Sequence, residues 1–365
     1  MSAGPSSPPA NPLPQQLGLE PFRPRFPWLN GDLQTLRDTL RPVRLAPDAG
    51  EPLTIPVGGG DQLLAFLDVP LPAARDPRAL VLLLHGLGGG SEREGLRRMG
   101  QTLQRAGCAV LRLNLRGAGA GRPLARGTYA ARCNSDLLPV LVRARQLADA
   151  LAPGGRPLLG VGLSLGGTQL LNAALAGCSE ARLEGLVCVS SPLDLQACSR
   201  QIDRPRNRLY QRWLLQRLVA QTLADPFGVS PAERQLLLGQ GPAGPLRTLR
   251  GFDAAITAPR WGYGSVDDYY AQASPLGPLL EGAAGSLPPT LLVHAADDPW
   301  VPVAALRRLA AVDPPGLTVL ITPQGGHNGF HGRGDRGDGQ GCWGDRLTAR
   351  WLSRLLEQGP AAAAG

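Results

Sequence analysis

Apolar positions along the chain follow two rhythms. Short runs that are apolar at almost every position occur at Ala79 to Leu84 (ALVLLL), Ala109 to Gly117 (AVLRLNLRG), Leu158 to Leu163, Leu183 to Pro192, Thr290 to Ala295 (TLLVHA) and Leu317 to Thr322. Runs of that length read as strands covered on both faces, the habit of a parallel sheet. Between them lie stretches with helical spacing: Arg93 to Ala106, Asn134 to Ala152, TQLLNAALAG from Thr168, and Val303 to Val312. A closing stretch, RLTARWLSRLLEQ, sets Leu347, Trp351 and Leu355 on one face. Strands alternating with helices in this way predict an α/β fold with a doubly wound, mainly parallel sheet. Ahead of them, Val43 to Val69 alternates apolar with polar residues around Gly58-Gly59-Gly60-Asp61, which predicts two antiparallel strands joined by a tight turn.

Two regions break the rhythm. Residues 194–288 contain helical patterns such as RLYQRWLLQRLVAQTL and no core strand, and carry Tyr210, Trp213, Phe227, Phe252, Trp261, Tyr263, Tyr269 and Tyr270. This stretch reads as a helical cap whose aromatic residues suit an apolar substrate, with plain core packing as the alternative for each ring. At the other end, residues 1–20 are rich in Pro, Ser, Gln and Asn and read as a disordered tail. The following Pro21 to Pro42 has Phe22, Phe26, Trp28 and Leu29 to bury, and a short amphipathic helix with Asp32 as its N-cap; it reads as an arm packed on the main domain. The expected organisation is therefore a tail (1–20), a core in two parts (21–193 and 289–358) and a cap (194–288).

Composition narrows the function classes. The chain has 365 residues, 43% of them hydrophobic, enough for a sizeable core. Its formal charge of +8 comes entirely from arginine, because no lysine occurs. Scattered arginines beside 48 Gly and 36 Pro look like codon bias rather than a basic binding face, so nucleic acid is not an expected partner. Six cysteines show neither C-x-x-C spacing nor a histidine partner at metal spacing, which suits reduced thiols in the cytoplasm. The first residues have no basic n-region or apolar h-region, and no apolar run is long enough to span a membrane; peripheral membrane contact stays open.

The chemistry centres on Gly162-Leu163-Ser164-Leu165-Gly166, a G-x-S-x-G turn between a strand and a helix. A turn this sharp strains the serine backbone and leaves no room for side chains two residues away, hence the glycines. Leu165 then opens a helix whose free N–H groups can stabilise an oxyanion. A bystander serine in a glycine-rich turn would give the same five letters, so context has to decide. Of four histidines, His327 stands among glycines after the last strand, where a general base belongs; His331 is its rival. His294 lies within a strand as a core residue, and His85 ends a strand at what would be the oxyanion loop. Asp297 and Asp298 follow TLLVHA; Asp194, after the preceding strand, is an alternative acid but reads as the start of the cap. The order Ser164, Asp, His327, each just beyond a strand, matches that of α/β-hydrolases. Asp298 is preferred over Asp297 because Pro299 biases it toward extended geometry, leaving Asp297 to accept N–H bonds in the turn. The second oxyanion donor would be the N–H of Leu87.

The set PRFPWLNGDLQT, LLLHGLGGGSE, GLSLGG, ASP ahead of HAADDPWVP, and GGHNGF resembles the YheT-type α/β-hydrolases over residues 21–356. The resemblance implies esterase or lipase activity on carboxylic esters, with medium-chain acyl lipids and acyl transfer to alcohols known among relatives. The membrane anchor of eukaryotic relatives has no counterpart here, and the loop Gly332 to Gly341 is unusually glycine-rich. The combined expectation is an α/β-hydrolase fold with a helical cap, cleaving a small ester or lipid through an acyl-enzyme. Ser164, Asp298 and His327 would be catalytic, with Leu87 and Leu165 as the oxyanion hole; neither cofactor nor metal is called for. Its rivals are an acyltransferase built on the same intermediate and a non-catalytic lipid-binding module on the same fold.

Overall fold

The computed structural model describes residues 11–72, 76–240, 244–335 and 341–358. Eight strands form one sheet: β1 (Glu51–Gly58), β2 (Asp61–Asp68), β3 (Leu80–Leu84), β4 (Ala109–Leu113), β5 (Leu158–Leu163), β6 (Gly185–Val189), β7 (Thr290–Ala295) and β8 (Leu317–Thr322). Their order is β1-β2-β4-β3-β5-β6-β7-β8, with β1, β2 and β4 paired antiparallel and every other pair parallel. The apolar runs are strands because side chains alternate between two covered faces. In β3, Leu80, Leu82 and Leu84 join the core on one side while Val81 and Leu83 join the other.

Before the sheet come two helices, α1 (Leu13–Gln16) and α2 (Gly31–Leu40). Within it lie α3 (Glu94–Arg105), α4 (Asn134–Ala150) and α5 (Leu165–Ala176). Leu96, Met99 and Leu103 of α3 pack on one face of the sheet, and Leu137, Val140 and Leu141 of α4 on the other. Between β6 and β7 the chain leaves the sheet for α6 (Leu195–Ile202), α7 (Arg208–Leu223), α8 (Pro231–Leu237), α9 (Leu249–Phe252), α10 (Ala258–Arg260), α11 (Val266–Ala273) and α12 (Leu276–Leu280). Asp194 is the N-cap of α6, accepting from the Ala197 N–H at 2.9 Å. The last helices are α13 (Ala304–Val312) and α14 (Trp343–Gln358).

Several expectations need correction. The disordered tail does not extend to residue 20: from Asn11 the chain is docked on the fold, and residues 1–10 lie outside the described residues. Leu17 and Leu19 are buried beside α14, and Arg350 donates to the carbonyls of Leu17 and Gly18 (2.9 and 2.6 Å), which holds this polar stretch in place. The N-cap of α2 is Asn30, not Asp32; Asn30 Oδ1 accepts from the Leu33 N–H at 2.9 Å, and Asp32 instead pairs with Arg206 at 2.7 Å. Of the four arm residues expected to be buried, Trp28 is, whereas Phe26 and Leu29 stand 79% and 44% exposed. Strand β4 stops at Leu113, short of the expected Gly117; the next residue, Asn114, turns its side chain to the Ser91 N–H and hydroxyl, both at 2.9 Å. Part of the glycine-rich loop, residues 336–340, lies outside the described residues.

Candidate active site

Ser164 sits between β5 and α5 with φ 53° and ψ −126°, a strained conformation for a residue bearing a Cβ. The flanking glycines are required for space. A Cβ on Gly162 would lie 2.3 Å from the Gly167 backbone, and one on Gly166 would lie 2.7 Å from the carbonyl oxygens of Leu84 and His85. The loop after β3 closes on the serine from the other side, since a Cβ on Gly86 would come within 2.8 Å of Ser164 Cβ.

Three side chains from three strand ends converge. Ser164 Oγ is 2.9 Å from His327 Nε2, and His327 Nδ1 is 2.8 Å from Asp298 Oδ2. The other Asp298 oxygen accepts from the N–H groups of Trp300 (2.8 Å) and Val301 (3.0 Å), which fixes the carboxylate plane. Burial resists ionisation of Asp298, yet the facing His327 outweighs it and holds the carboxyl below its ordinary value. Asp297 turns away and accepts the Gly326 N–H at 2.9 Å; burial raises its carboxyl.

The remaining histidines stand elsewhere. Burial pushes His85 down to about 4, so its ring is neutral; it accepts from the Leu115 N–H at 3.2 Å through Nε2, leaving Nδ1–H for the Gly86 carbonyl at 2.8 Å. His294 is buried with Nε2 3.0 Å from the Val301 carbonyl oxygen. His331, the rival base, is buried 3.0 Å from Asp38, and its backbone N–H and carbonyl are both held by Gln34.

Leu165 is the first residue of α5, and Leu87 lies in the loop after β3. Among the described residues, neither backbone N–H has a protein acceptor. Four further contributors to the site were not singled out from the sequence, although Thr35 and Trp300 lie within PRFPWLNGDLQT and HAADDPWVP. Tyr129 is buried, and its hydroxyl accepts the Gly88 N–H at 2.6 Å, anchoring the loop that carries Leu87. Thr35 Oγ1 accepts the His327 N–H (2.9 Å), and Ser190 Oγ accepts that of Asn328 (3.1 Å). The Trp300 ring lies 4.4 Å from that of His327.

Two cavities meet at Ser164 and His327. The inner one, of about 130 Å³, is walled mainly by apolar residues of the insertion, including Leu214, Leu218, Phe252 and Tyr269. The outer one, of about 510 Å³, lies toward α2 and α3 and presents Arg93 and Arg217. Of the aromatic residues expected over the mouth, Phe252, Tyr269 and Tyr270 line the inner cavity and Trp213 the outer. Trp261 is a packing residue whose indole N–H donates to the Thr128 carbonyl at 2.8 Å. Among the described residues no cluster of His, Cys, Asp and Glu could hold a metal, and no helix is long and apolar enough to cross a membrane.

A family model described as the α/β hydrolase fold matches residues 79–333. The chain belongs to the α/β-hydrolase family. Within it the chain is of the YheT type, being 30% identical over 338 residues to the Escherichia coli (strain K12) protein "Putative esterase YheT", covering 92% of this chain and 94% of that one. It is 28% identical to mouse Phospholipase ABHD3 over 77% of this chain and 65% of that protein. A match of 27% identity to the Saccharomyces cerevisiae protein "Medium-chain fatty acid ethyl ester synthase/esterase 2" covers 61% of this chain and 51% of that one. Among solved structures, a soluble variant of yeast monoglyceride lipase superposes with a TM-score of 0.56 at 16% identity, over 87% of this chain and 98% of that one, a likeness of fold. This α/β-hydrolase is thus of the esterase or lipase type.

Proposed function

We propose that the protein is a serine hydrolase of carboxylic esters acting through an acyl-enzyme, with Ser164 as nucleophile. The observation that carries this reading is the relay from Ser164 Oγ to His327 to Asp298, with contacts of 2.9 and 2.8 Å. His327 Nε2 takes the hydroxyl proton as Ser164 Oγ attacks the ester carbonyl. The resulting oxyanion is met by the N–H groups of Leu165 and Leu87. His327 then returns the proton to the leaving alkoxide, and in the second half deprotonates the water that releases the acid. Asp298 keeps the proton on Nδ1, so that Nε2 is free to act as base. Nucleophile, base and oxyanion donors are all supplied by the chain, so the reaction as proposed needs neither metal nor cofactor.

The insertion, residues 194–288, acts in this reading as a cap that holds the acyl group in the inner cavity, while the alcohol leaves through the outer one. Its apolar lining favours uncharged acyl chains, each buried CH₂ contributing about 0.8 kcal/mol. Six free cysteines fit a reducing, cytoplasmic setting. The outer cavity also favours a second reading, in which an alcohol rather than water accepts the acyl group; the synthase/esterase relative is named for both reactions. Replacement of Ser164 by alanine should abolish labelling by a fluorophosphonate probe and lower ester turnover by roughly 10³-fold or more. Labelling and turnover that survive in Ser164→Ala would refute the serine-hydrolase reading.

A further inference from the structure

The inner cavity is not apolar all round. Polar side chains of the insertion line part of it, among them Ser199 of α6, Asp253 and Thr257, and Tyr270 of α11. Asp253 to Thr257 form a single π-helical turn between α9 and α10. Such turns are uncommon and concentrate at functional sites. Here Pro259, two residues on, has no N–H to give the Ala255 carbonyl, so a regular α-helix cannot run through. The turn sets Asp253 toward the cavity, where its Oδ2 accepts the Tyr270 hydroxyl proton at 2.7 Å. Ser199 is 7% exposed and lies beside Tyr270, and its Oγ makes no hydrogen bond of good geometry.

A buried hydroxyl with no good hydrogen bond, in the same wall as a carboxyl, is an expensive lining for a pocket meant only for hydrocarbon. A methyl group placed there would leave the Ser199 hydroxyl unpaired, whereas a substrate hydroxyl could pair with Ser199 and give its proton to Asp253, beside the bond that Asp253 already accepts from Tyr270. We propose that Ser199 and Asp253 form a subsite for the distal part of the acyl group, and that the preferred substrates are esters of hydroxyacyl rather than plain alkanoyl acids. This rests on the ester-hydrolase reading above and names its substrate class. Burial pushes the Asp253 carboxyl up to about 6, against hydrogen bonds from Thr257 and Tyr270, so near neutrality it is less strongly ionised than an exposed aspartate. Sites built to hydrogen-bond a substrate hydroxyl discriminate strongly against the analogue lacking it, and one such bond corresponds to roughly tenfold in kcat/KM.

The test compares p-nitrophenyl esters of alkanoic acids with those of ω-hydroxyalkanoic acids, matched in length over short to medium chains. It uses the full chain and the variants Ser199→Ala, Asp253→Ala and Asp253→Asn. The ratio of the two kcat/KM values at the best length is the readout, because partial misfolding lowers both rates and leaves the ratio alone. Wild type should favour the hydroxy ester about tenfold or more, and Ser199→Ala and Asp253→Ala should each bring the ratio toward one. A wild type that is labelled by a fluorophosphonate yet prefers the alkanoyl ester at every length overturns the subsite, as does a ratio unmoved by all three substitutions. Absence of both labelling and turnover would instead remove the hydrolase reading on which the subsite rests.

Discussion

Two adjacent aspartates show how one step along the backbone separates roles. Asp298 points at His327, and Asp297 points at the Gly326 N–H. Asp298→Asn should lower kcat by about 10⁴-fold, because the amide favours the wrong imidazole tautomer. Asp297→Asn keeps an oxygen for Gly326 and should stay within tenfold of wild type; steady-state kinetics on the two variants checks this, and the reverse order would move the acid by one residue. These positions were legible because their determinants are local: a strand end, a following proline, a glycine flanking a serine. Thr35 and Tyr129 were not, since their role lies in which distant N–H they meet, at His327 and Gly88, and no local pattern encodes that. Phe26 and Leu29 misled for a related reason: single apolar side chains are common on protein surfaces.

Strand positions could be read from apolar runs almost to the residue at β7 and β8, whereas the arm looked like a helix that merely leans on the core. In the structure α2 is part of the histidine loop's support. Gln34 holds both the N–H and the carbonyl of His331, Thr35 holds the N–H of His327, and Gln324 donates to the Leu29 carbonyl at 2.7 Å. At the start of α2, a Cβ on Gly31 would lie 2.1 Å from the Asp297 carbonyl oxygen. Gly31→Ala must therefore push the helix away from both the acid turn and the histidine loop. It should cost about 1–3 kcal/mol of stability and lower kcat as well. Gly277→Ala, in α12 with nothing within 4 Å of the new methyl, is the matched control. That change should stabilise by roughly 0.5–1 kcal/mol without touching activity. Thermal melts and turnover on the pair decide it; a Gly31→Ala enzyme as stable and active as wild type would mean the arm is not needed to hold the loop.

For the molecule as a whole, two buried carboxyls tilt the pH dependence of stability in opposite directions. Asp298 is held below its ordinary value, so its contribution is present at neutral pH and is lost on acidification. Asp253, raised from 3.8 to about 6, binds its proton more tightly folded than unfolded. Its contribution is present below the unfolded value and disappears as pH rises through about 6, a loss of up to about 3 kcal/mol. Asp253→Asn should accordingly raise the melting temperature at pH 8 and change it much less at pH 4; equal shifts at both would show that Asp253 titrates normally. The support of the histidine loop by the arm also has a consequence in time. Thr35 and His327 are separated by 292 residues, and Gln34 and His331 by 297. At about 5–20 residues per second of synthesis, the arm leaves the ribosome roughly 15–60 s before the loop it must grip. Until then α2 has no partner there, and the sheet can be largely built while His327 is still unplaced. Turnover should thus be the last native property to return on refolding, lagging behind the circular dichroism of the sheet and helices.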